Sequence, residues 1–288
     1  MKGSRWVPWL YVGPALLLLA FFLVYPSLDT LRLSFFDRNS DEFIGFANYL
    51  WAFTSEAMLI AFRNNILWLV FYTGLTVSLG LVLAVLFDRI SYEAAAKSII
   101  FLPMAISFVG AGVIWKFMYG FRPAGEPQIG LLNAVLTLFD IKPVGWLVNR
   151  AINNFALMGV GIWIRTGFCM VIFSAALKGI PKEIIESARI DGASEWQVFR
   201  YILIPMISST IAVVATTQII SVLKVFDIVY VMTNGNFGTE VIANRMYKEM
   251  FHFLNFGRAS AIAMILLLAI VPAMVANIRQ FQEQEALR

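Results

Sequence analysis

Apolar residues in this chain fall in long continuous runs, separated by shorter polar stretches. Six runs reach the roughly 20 residues that a helix needs to cross a bilayer: about 9–33, 64–87, 98–119, 154–177, 205–232 and 259–278. Spans of a β-barrel would alternate apolar and polar positions, and these runs do not. A shorter segment, 130–139, is apolar all round and predicts a helix lying in the membrane interface. The stretches 37–63, 120–153 and 233–258 hold the turn-formers, among them Pro123, Pro127, Pro143 and Asn234-Gly235-Asn236. No internal repeat or low-complexity tract is visible.

Composition supports the same picture. The chain has 288 residues, 60% apolar and only 14% charged, against about 45–50% and about 25% in soluble domains. The expectation is one all-α polytopic transmembrane domain over residues 1–288. The 25 Phe and 8 Trp exclude disorder. Cys169 is the only cysteine, which excludes a disulfide scaffold, and with His252 as the only histidine a structural zinc site is not expected. The net charge of +4 is spread out, with no basic run for nucleic acid. Lys2 and Arg5 precede an uncharged run of 23 residues, Trp6 to Leu28. That run is long for a signal peptide and has no small-residue cleavage site, so it reads as a retained first span.

Lys and Arg set the orientation. With the N-terminus in the cytoplasm, ten lie on the inner side, including Lys2, Arg5, Arg89, Arg279 and Arg288, and eight on the outer side. The ten are on shorter loops, so their density predicts cytoplasmic termini.

The stretch after Gly179 does not read as a plain connector: G-I-P-K-E-I-I-E-S-A-R-I-D-G-A-S-E-W-Q-V-F-R-Y-I-L-I-P. Pro181 suits a helix start, Lys182 to Ile190 are helix-permissive, and Gly192 can take the left-handed conformation that ends a helix. Ser194 and Gln197 can form a capping box for a second helix leading into Pro205. Ile184, Ile185 and Ala188 line one stripe beside Glu183 and Glu186. By itself such a helix either lies on lipid or seats a partner.

Charges inside spans are costly and face a cavity or a partner. Lys116 is near the outer end of the third span and reads as snorkelling. Lys224 and Asp227, three residues apart, predict a local helical pair at a cavity mouth, with contact to a polar ligand as the alternative. Arg165 is about 18 Å from the inner end of the fourth span, too deep to snorkel. Gln218, about 20 Å up the fifth span, is at similar depth, with Ser221 one turn above. Arg165, Gln218 and Ser221 could meet the hydroxyls of a polar ligand, with Tyr72, Trp163 or Phe168 covering its apolar face; Arg165 could instead pair with a partner's carboxylate. Cys169 reads as a packing residue, and Gly74, Gly80, Gly110, Gly112, Gly159 and Gly161 as close helix contacts.

The loop resembles the signature loop of ABC importer permeases: Glu-Ala-Ala, three residues, Gly, nine residues, Ile-x-Leu-Pro. Here it runs Glu186-Ser187-Ala188, Gly192, Ile202-Leu203-Ile204-Pro205, with Ser187 and Ile204 as departures. The likeness extends along nearly the whole chain. P-A-L-L-L-L-A-F-F-L-V-Y-P from Pro14, F-I-G-F-A-N-Y from Phe43 and the stretch from Asn64 resemble sugar permeases of the maltose-transporter type. S-F-V-G-A-G-V-I-W-K-F-M-Y from Ser107 and L-K-V-F-D-I-V-Y-V-M-T-N-G from Leu223 are similar to alpha-glucoside permeases. Asn234-Gly235-Asn236-Phe237 replaces the Gly-Gly-Pro turn of many relatives.

The resemblance implies an ABC type I importer permease fold in a bacterial or archaeal plasma (inner) membrane. It implies a second, related permease, an ATPase dimer and an extracytoplasmic sugar-binding protein as partners. The loop 178–204 would couple to the ATPase through Glu186, with Ile185, Ala188, Asp191, Gly192 and Trp196. Arg165, Gln218, Ser221, Lys224 and Asp227 would contact sugar; of these, Arg165 and Gln218 align with sugar contacts in the maltose permease. The sequence has no G-x-x-x-x-G-K-[ST] phosphate loop, so ATP and Mg would be bound by the partner ATPase and no cofactor by this chain. The cargo would be an alpha-glucoside or related disaccharide, or alternatively another polyol, osmolyte or glycerol phosphate. A secondary transporter would need coupling acids in mid-membrane, and a membrane enzyme a catalytic set; the sequence offers neither.

Overall fold

The computed structural model describes residues 7–88 and 90–286. Of the charges used for orientation, Lys2, Arg5, Arg89 and Arg288 lie outside the described residues, as does the side chain of Arg279. Among the described residues the fold is helical; the one β feature is an isolated bridge between Phe36 and Phe43.

Four helices are long and apolar enough to cross a membrane: Trp9–Leu33, Glu56–Phe87, Asn153–Lys178 and Phe256–Ala276. Two bent pairs of helices bring the number up to six if each pair is one span. The third span, expected as one helix over 98–119, is Glu93–Ala105 followed by Phe108–Met118 at 99°. Pro103 sits in a 3-10 turn, Ile106 is extended, and Ser107 caps the next helix by accepting from the Gly110 N–H at 3.0 Å. The fifth span, expected as one helix over 205–232, is broken twice. Glu195–Met206 and Ser208–Leu223 meet at 71°, just after Pro205, whose ring and missing N–H disfavour a continuous ladder. The helix stops again at Leu223 and resumes as Asp227–Met232. The segment 130–139, expected to lie in the interface, holds the helix Leu131–Leu138; its Asn133 is buried and donates to the carbonyls of Gly120 and Val144.

The chain divides into two compact units, residues 1–59 with 245–268, and 60–244 with 269–288. In the first, Asn48 donates to the carbonyls of Ser34 and Phe36 at 3.0 and 2.7 Å, and Arg258 stacks 4.3 Å over the Trp51 ring. Asp37 accepts from the backbone N–H groups of Glu42 and Asp41, which holds its carboxyl below the usual carboxylate range.

In the second unit the Asn153–Lys178 helix is the centre. It buries fifteen residues, including Leu157, Val160, Ile164, Met170 and Phe173. No hydrophobic force separates helices from lipid tails, so close packing must hold them. Glycines admit the neighbours. A Cβ on Gly161 would lie 2.7 Å from the Tyr72 ring, and one on Gly80 2.5 Å from the Cys169 Cβ. Gly167, which the sequence did not single out, meets the backbone of Ile100 and Phe101. Gly74 has open space and Gly110 meets its own Ser107 cap, so neither is a close helix contact. At the end of this unit nearest residues 178–207, Glu93 accepts from Lys97 and Lys178, and Lys97 also reaches Ser174.

Replacing Gly167 by Ala drives a methyl to 2.4 Å from the Ile100 carbonyl oxygen. Overpacking of that kind costs about 1–3 kcal/mol. Gly74→Ala adds a methyl in open space and should gain up to about 1 kcal/mol of helix stability. Thermal unfolding of the purified protein should therefore fall for the first variant and hold or rise for the second.

Candidate functional site

The breaks in the third and fifth spans meet at one chamber. It has a volume of about 70 Å³ and is walled by Trp68, Tyr72 and Phe108, with Ser221, Lys224 and Asp227 as its polar side. Phe108 is the first residue after the break in the third span, and Lys224–Phe226 is the second break in the fifth. Trp68 and Tyr72 come from a π turn, Trp68–Tyr72, within the second span, and their rings are 5.5 Å apart. Discontinuous spans are where transporters place polar groups at mid-membrane without exposing bare backbone to lipid. Here the ends are satisfied locally. Asn65 donates to the Val222 carbonyl at 3.4 Å, and the Lys224 N–H bonds the Ser221 carbonyl at 3.3 Å.

The expected site residues divide. Ser221, Lys224 and Asp227 line the chamber. Lys224 and Asp227 do not share a helix, and among the described residues no ion pair joins them, so the expected local pair is not formed; Phe226, with φ −143° and ψ −60°, interrupts the helix between them. Arg165 is half-buried beside the chamber, its guanidinium 5.1 Å over the Phe108 ring and its Nε buried without an acceptor. Gln218 does not line the chamber. It is 1% exposed, and neither atom of its amide has a partner. Of the three aromatics considered, only Tyr72 is in the wall; Trp163 packs edge-on against Trp115, and Phe168 against the core near Cys169. Trp68 and Phe108 were missed. The four-residue spacing of Trp68 and Tyr72 was the available signal for the first; nothing in the sequence marks the second. Lys116 is exposed and donates to the Val231 carbonyl at 3.4 Å.

The helical loop matches its expected form. Lys182–Ile190 is a helix with Pro181 immediately before it. Gly192 takes φ +87°, and the Gly192 and Ala193 N–H groups close the helix end on the carbonyls of Arg189 and Ala188. The Ser194–Gln197 capping box is complete, with bonds of 2.7 and 3.3 Å. Arg189 and Glu195 pair across the turn at 2.9 Å. Ile185 and Ala188 turn towards the protein's own core, beside Leu177, Val198 and Leu203. Glu186, Asp191, Ile190 and Trp196 remain exposed, the last two at 86% and 68%. Past the fifth span, the segment Asn234-Gly235-Asn236-Phe237 turns through left-handed residues, with positive φ at Asn234, Gly235 and Phe237.

A family described as "Binding-protein-dependent transport system inner membrane component" matches residues 76–283. The osmoprotective compounds uptake permease protein GgtC of Synechocystis sp. is 65% identical over 279 residues, 97% of this chain and all of that protein. The alpha-glucoside transport system permease protein AglF of Rhizobium meliloti is 50% identical over 273 residues, 94% of this chain and 81% of that one. Among solved structures, a bacterial ABC transporter involved in import of the acidic polysaccharide alginate superposes with a TM-score of 0.80 at 23% identity, over 96% of both chains.

The turn at Gly192 can be tested alone. A Cβ there meets nothing within 4 Å, so the cost of Gly192→Val is conformational, about 1–2 kcal/mol for a left-handed L-residue. Amide hydrogen exchange over residues 182–198 should speed up about five- to thirtyfold, while exchange in the fourth span stays as it was.

Proposed function

The chain belongs to the family of binding-protein-dependent transport system inner membrane components and is a permease of an ABC importer, and from that premise we propose that its cargo is a small neutral glycoside, an alpha-glucoside or related disaccharide. The chamber at the two helix breaks carries this reading. Its walls are aromatic faces, which suit the apolar face of a sugar ring. Its polar side offers a hydroxyl, a cation and an anion, which together can donate to and accept from hydroxyls while balancing in charge. The name of the alpha-glucoside relative supports it. A second reading, import of an osmoprotective solute, is favoured by the relative at 65% identity, and the two coincide if the solute is itself a neutral glycoside.

In this reading both termini are cytoplasmic, as the denser basic charge on the shorter loops suggests. The helical loop then faces an ATPase dimer, which binds the ATP and Mg that this chain has no phosphate loop to hold. Its exposed Glu186 meets a basic residue of the ATPase, and Trp196 with Ile190 supplies apolar contact; Ile185 and Ala188 set the helix against the permease. Asp191 and Gly192 shape the turn. A related permease completes the pathway, and an extracytoplasmic binding protein delivers cargo; one solved relative is the alginate transporter in complex with a periplasmic protein. The loop continues at its two ends into the fourth and fifth spans. ATP-driven closure of the ATPases pushes on it and moves both spans, opening the chamber alternately to each side. Arg165 and Gln218 take part as the chamber changes shape.

The test is the reconstituted complex with its binding protein. Maltose, sucrose and trehalose should stimulate ATP hydrolysis and be taken up; glycine betaine should not. Stimulation by glycine betaine with none by the disaccharides sinks the glycoside reading. A lost bond to a charged group is worth about 1.5–3 kcal/mol and a neutral one about 0.5–1.5. Asp227→Ala should therefore depress uptake by about tenfold or more and Ser221→Ala by a few fold, both with assembly intact. Arg165→Ala should assemble and transport poorly; failure to assemble marks that arginine as structural. Glu186→Lys should lose the ATPase on co-purification or hydrolyse without transport.

A further inference from the structure

Where the fourth span gives way to the helical loop, one carboxylate ties two helices together. Glu93 opens the first leg of the third span, the helix Glu93–Phe101. It accepts from Lys97 on its own helix and from Lys178, the last residue of the fourth span. Lys97 donates in turn to the Ser174 hydroxyl. Residues 93 and 97 are one turn apart on one helix, and 174 and 178 are one turn apart on the other. The backbone of Ile100 and Phe101 meets Gly167 further along. The pairing is therefore antiparallel: 93 with 178, 97 with 174, and 100–101 with 167.

The leg has little else to hold its register. It reads E-A-A-A-K-S-I-I-F, and none of its nine residues is buried. Three alanines make a smooth surface along which a helix can slide, and helices gain little by leaving lipid. A carboxylate at the positive end of a helix explains Glu93 alone, and a pair one turn apart explains Lys97. Neither explains Lys178 and Ser174, nor why the Lys97 side chain is only 13% exposed. Taking an ammonium out of water is expensive and adds little net stability; the best-attested use of such a group is to fix registry.

What depends on this register is the chamber. The leg ends at the 99° bend, and the helix beyond the bend begins with Phe108, one of the chamber's walls. At the other end, Lys178 lies three residues before Pro181, where the helical loop starts. The clip thus joins the root of the loop to the leg that carries Phe108, two segments far apart along the chain. A slip of one residue would move the leg about 1.5 Å along its axis. That is a large displacement for the wall of a chamber of about 70 Å³.

We infer that Glu93 is a positioning residue for transport: with Lys178 and Lys97 it locks the first leg of the third span to the root of the helical loop, so that a push on the loop moves Phe108 in the chamber wall. This rests on the reading of the loop as the ATPase seat and of the chamber as the transport site. Glu93 touches no cargo; it keeps one wall of the chamber in step with the loop.

The test uses the full complex with ATPase, partner permease and binding protein. Glu93→Gln with Lys97→Met replaces the clip by neutral groups of similar length, and a pair that serves registry can be lost in this way with an unfolding temperature equal to or above that of the parent. Phe108→Cys in a Cys169→Ala background reports the wall. Its reaction with a charged methanethiosulfonate reagent should differ at least about fivefold between the nucleotide-free and ATP-bound complex, the lower end of coupling between distant sites. Adding Glu93→Gln and Lys97→Met should bring the two rates to within about twofold of each other. A variant that keeps the parent's contrast, or a parent that has none, overturns the inference. With Phe108 in place, the neutral variant should still hydrolyse ATP while uptake per ATP falls at least about fivefold; unchanged uptake per ATP overturns it. Charge exchange keeps the test decisive if the neutral variant unfolds more easily. Glu93→Lys alone should abolish the labelling contrast, and Glu93→Lys with Lys178→Glu should recover it; a double variant no better than the single one overturns the clip. The contrast needs no cargo, so a parent that shows it but takes up none of the sugars tried has failed the glycoside reading and not the clip. If Glu186→Lys keeps both the ATPase and coupled transport, the reading of the loop has failed instead.

Discussion

Close approach at the fourth span is the constraint on which the rest of its unit depends. Inside a bilayer, helices gain little by leaving lipid, so only intimate packing fixes their positions. Gly161 lets the Tyr72 ring lie against the helix backbone, Gly167 lets the chain at Ile100–Phe101 cross it, and Gly80 sits on Cys169. These three contacts determine where the second span and the first leg of the third can be. They place Trp68 and Tyr72 in the chamber wall and aim the chain so that Phe108 begins its helix opposite them. Cys169 is thereby a packing surface, buried and free.

Helix breaks supply what straight helices cannot. A continuous ladder satisfies every backbone group and leaves side chains to do all the recognition, whereas a break needs caps and brings chain ends into the interior. Ser107 caps one break and Asn65 braces the other. Asn65 also accepts from the Ile242 N–H at 3.0 Å, while its neighbour Asn64 donates to the carbonyls of Gly238 and Glu240 at 2.8 and 2.7 Å. Two adjacent asparagines thus fasten both the end of the fifth-span helix and the segment after it. The π turn at Trp68–Tyr72 is a milder interruption with the same effect, a helix whose hydrogen-bonding capacity is not used up internally.

The helical loop shows a division within one short amphipathic helix. Ile185 and Ala188 bind it to its own permease, and the capping box and the Arg189–Glu195 pair fix the turn. What stays exposed, Glu186, Ile190 and Trp196, is a charge with apolar neighbours. The left-handed Gly192 makes the turn behind that surface sharp.

Periodicity and length were enough to find the six apolar runs, the short helix at 131–138 and the loop with its cap and glycine turn, because each rests on interactions within a few residues of chain. The first and fourth spans matched to within a residue at each end. The breaks were not legible. Pro103 and Pro205 marked places where a helix could bend, but the angles of 99° and 71° come from what the segments pack against, and the stop at Lys224–Phe226 has no local breaker. Depth along an ideal helix put Arg165, Gln218 and Ser221 together. Tertiary packing separated them, sealing Gln218 in a seam and bringing Lys224 and Asp227 to one chamber with Trp68 and Phe108 from other spans. Sequence determines which residues can lie in a membrane and which local turns they can make, since those follow from each residue and its near neighbours. Which polar groups share a cavity is decided by contacts between distant helices, and only the folded chain contains them.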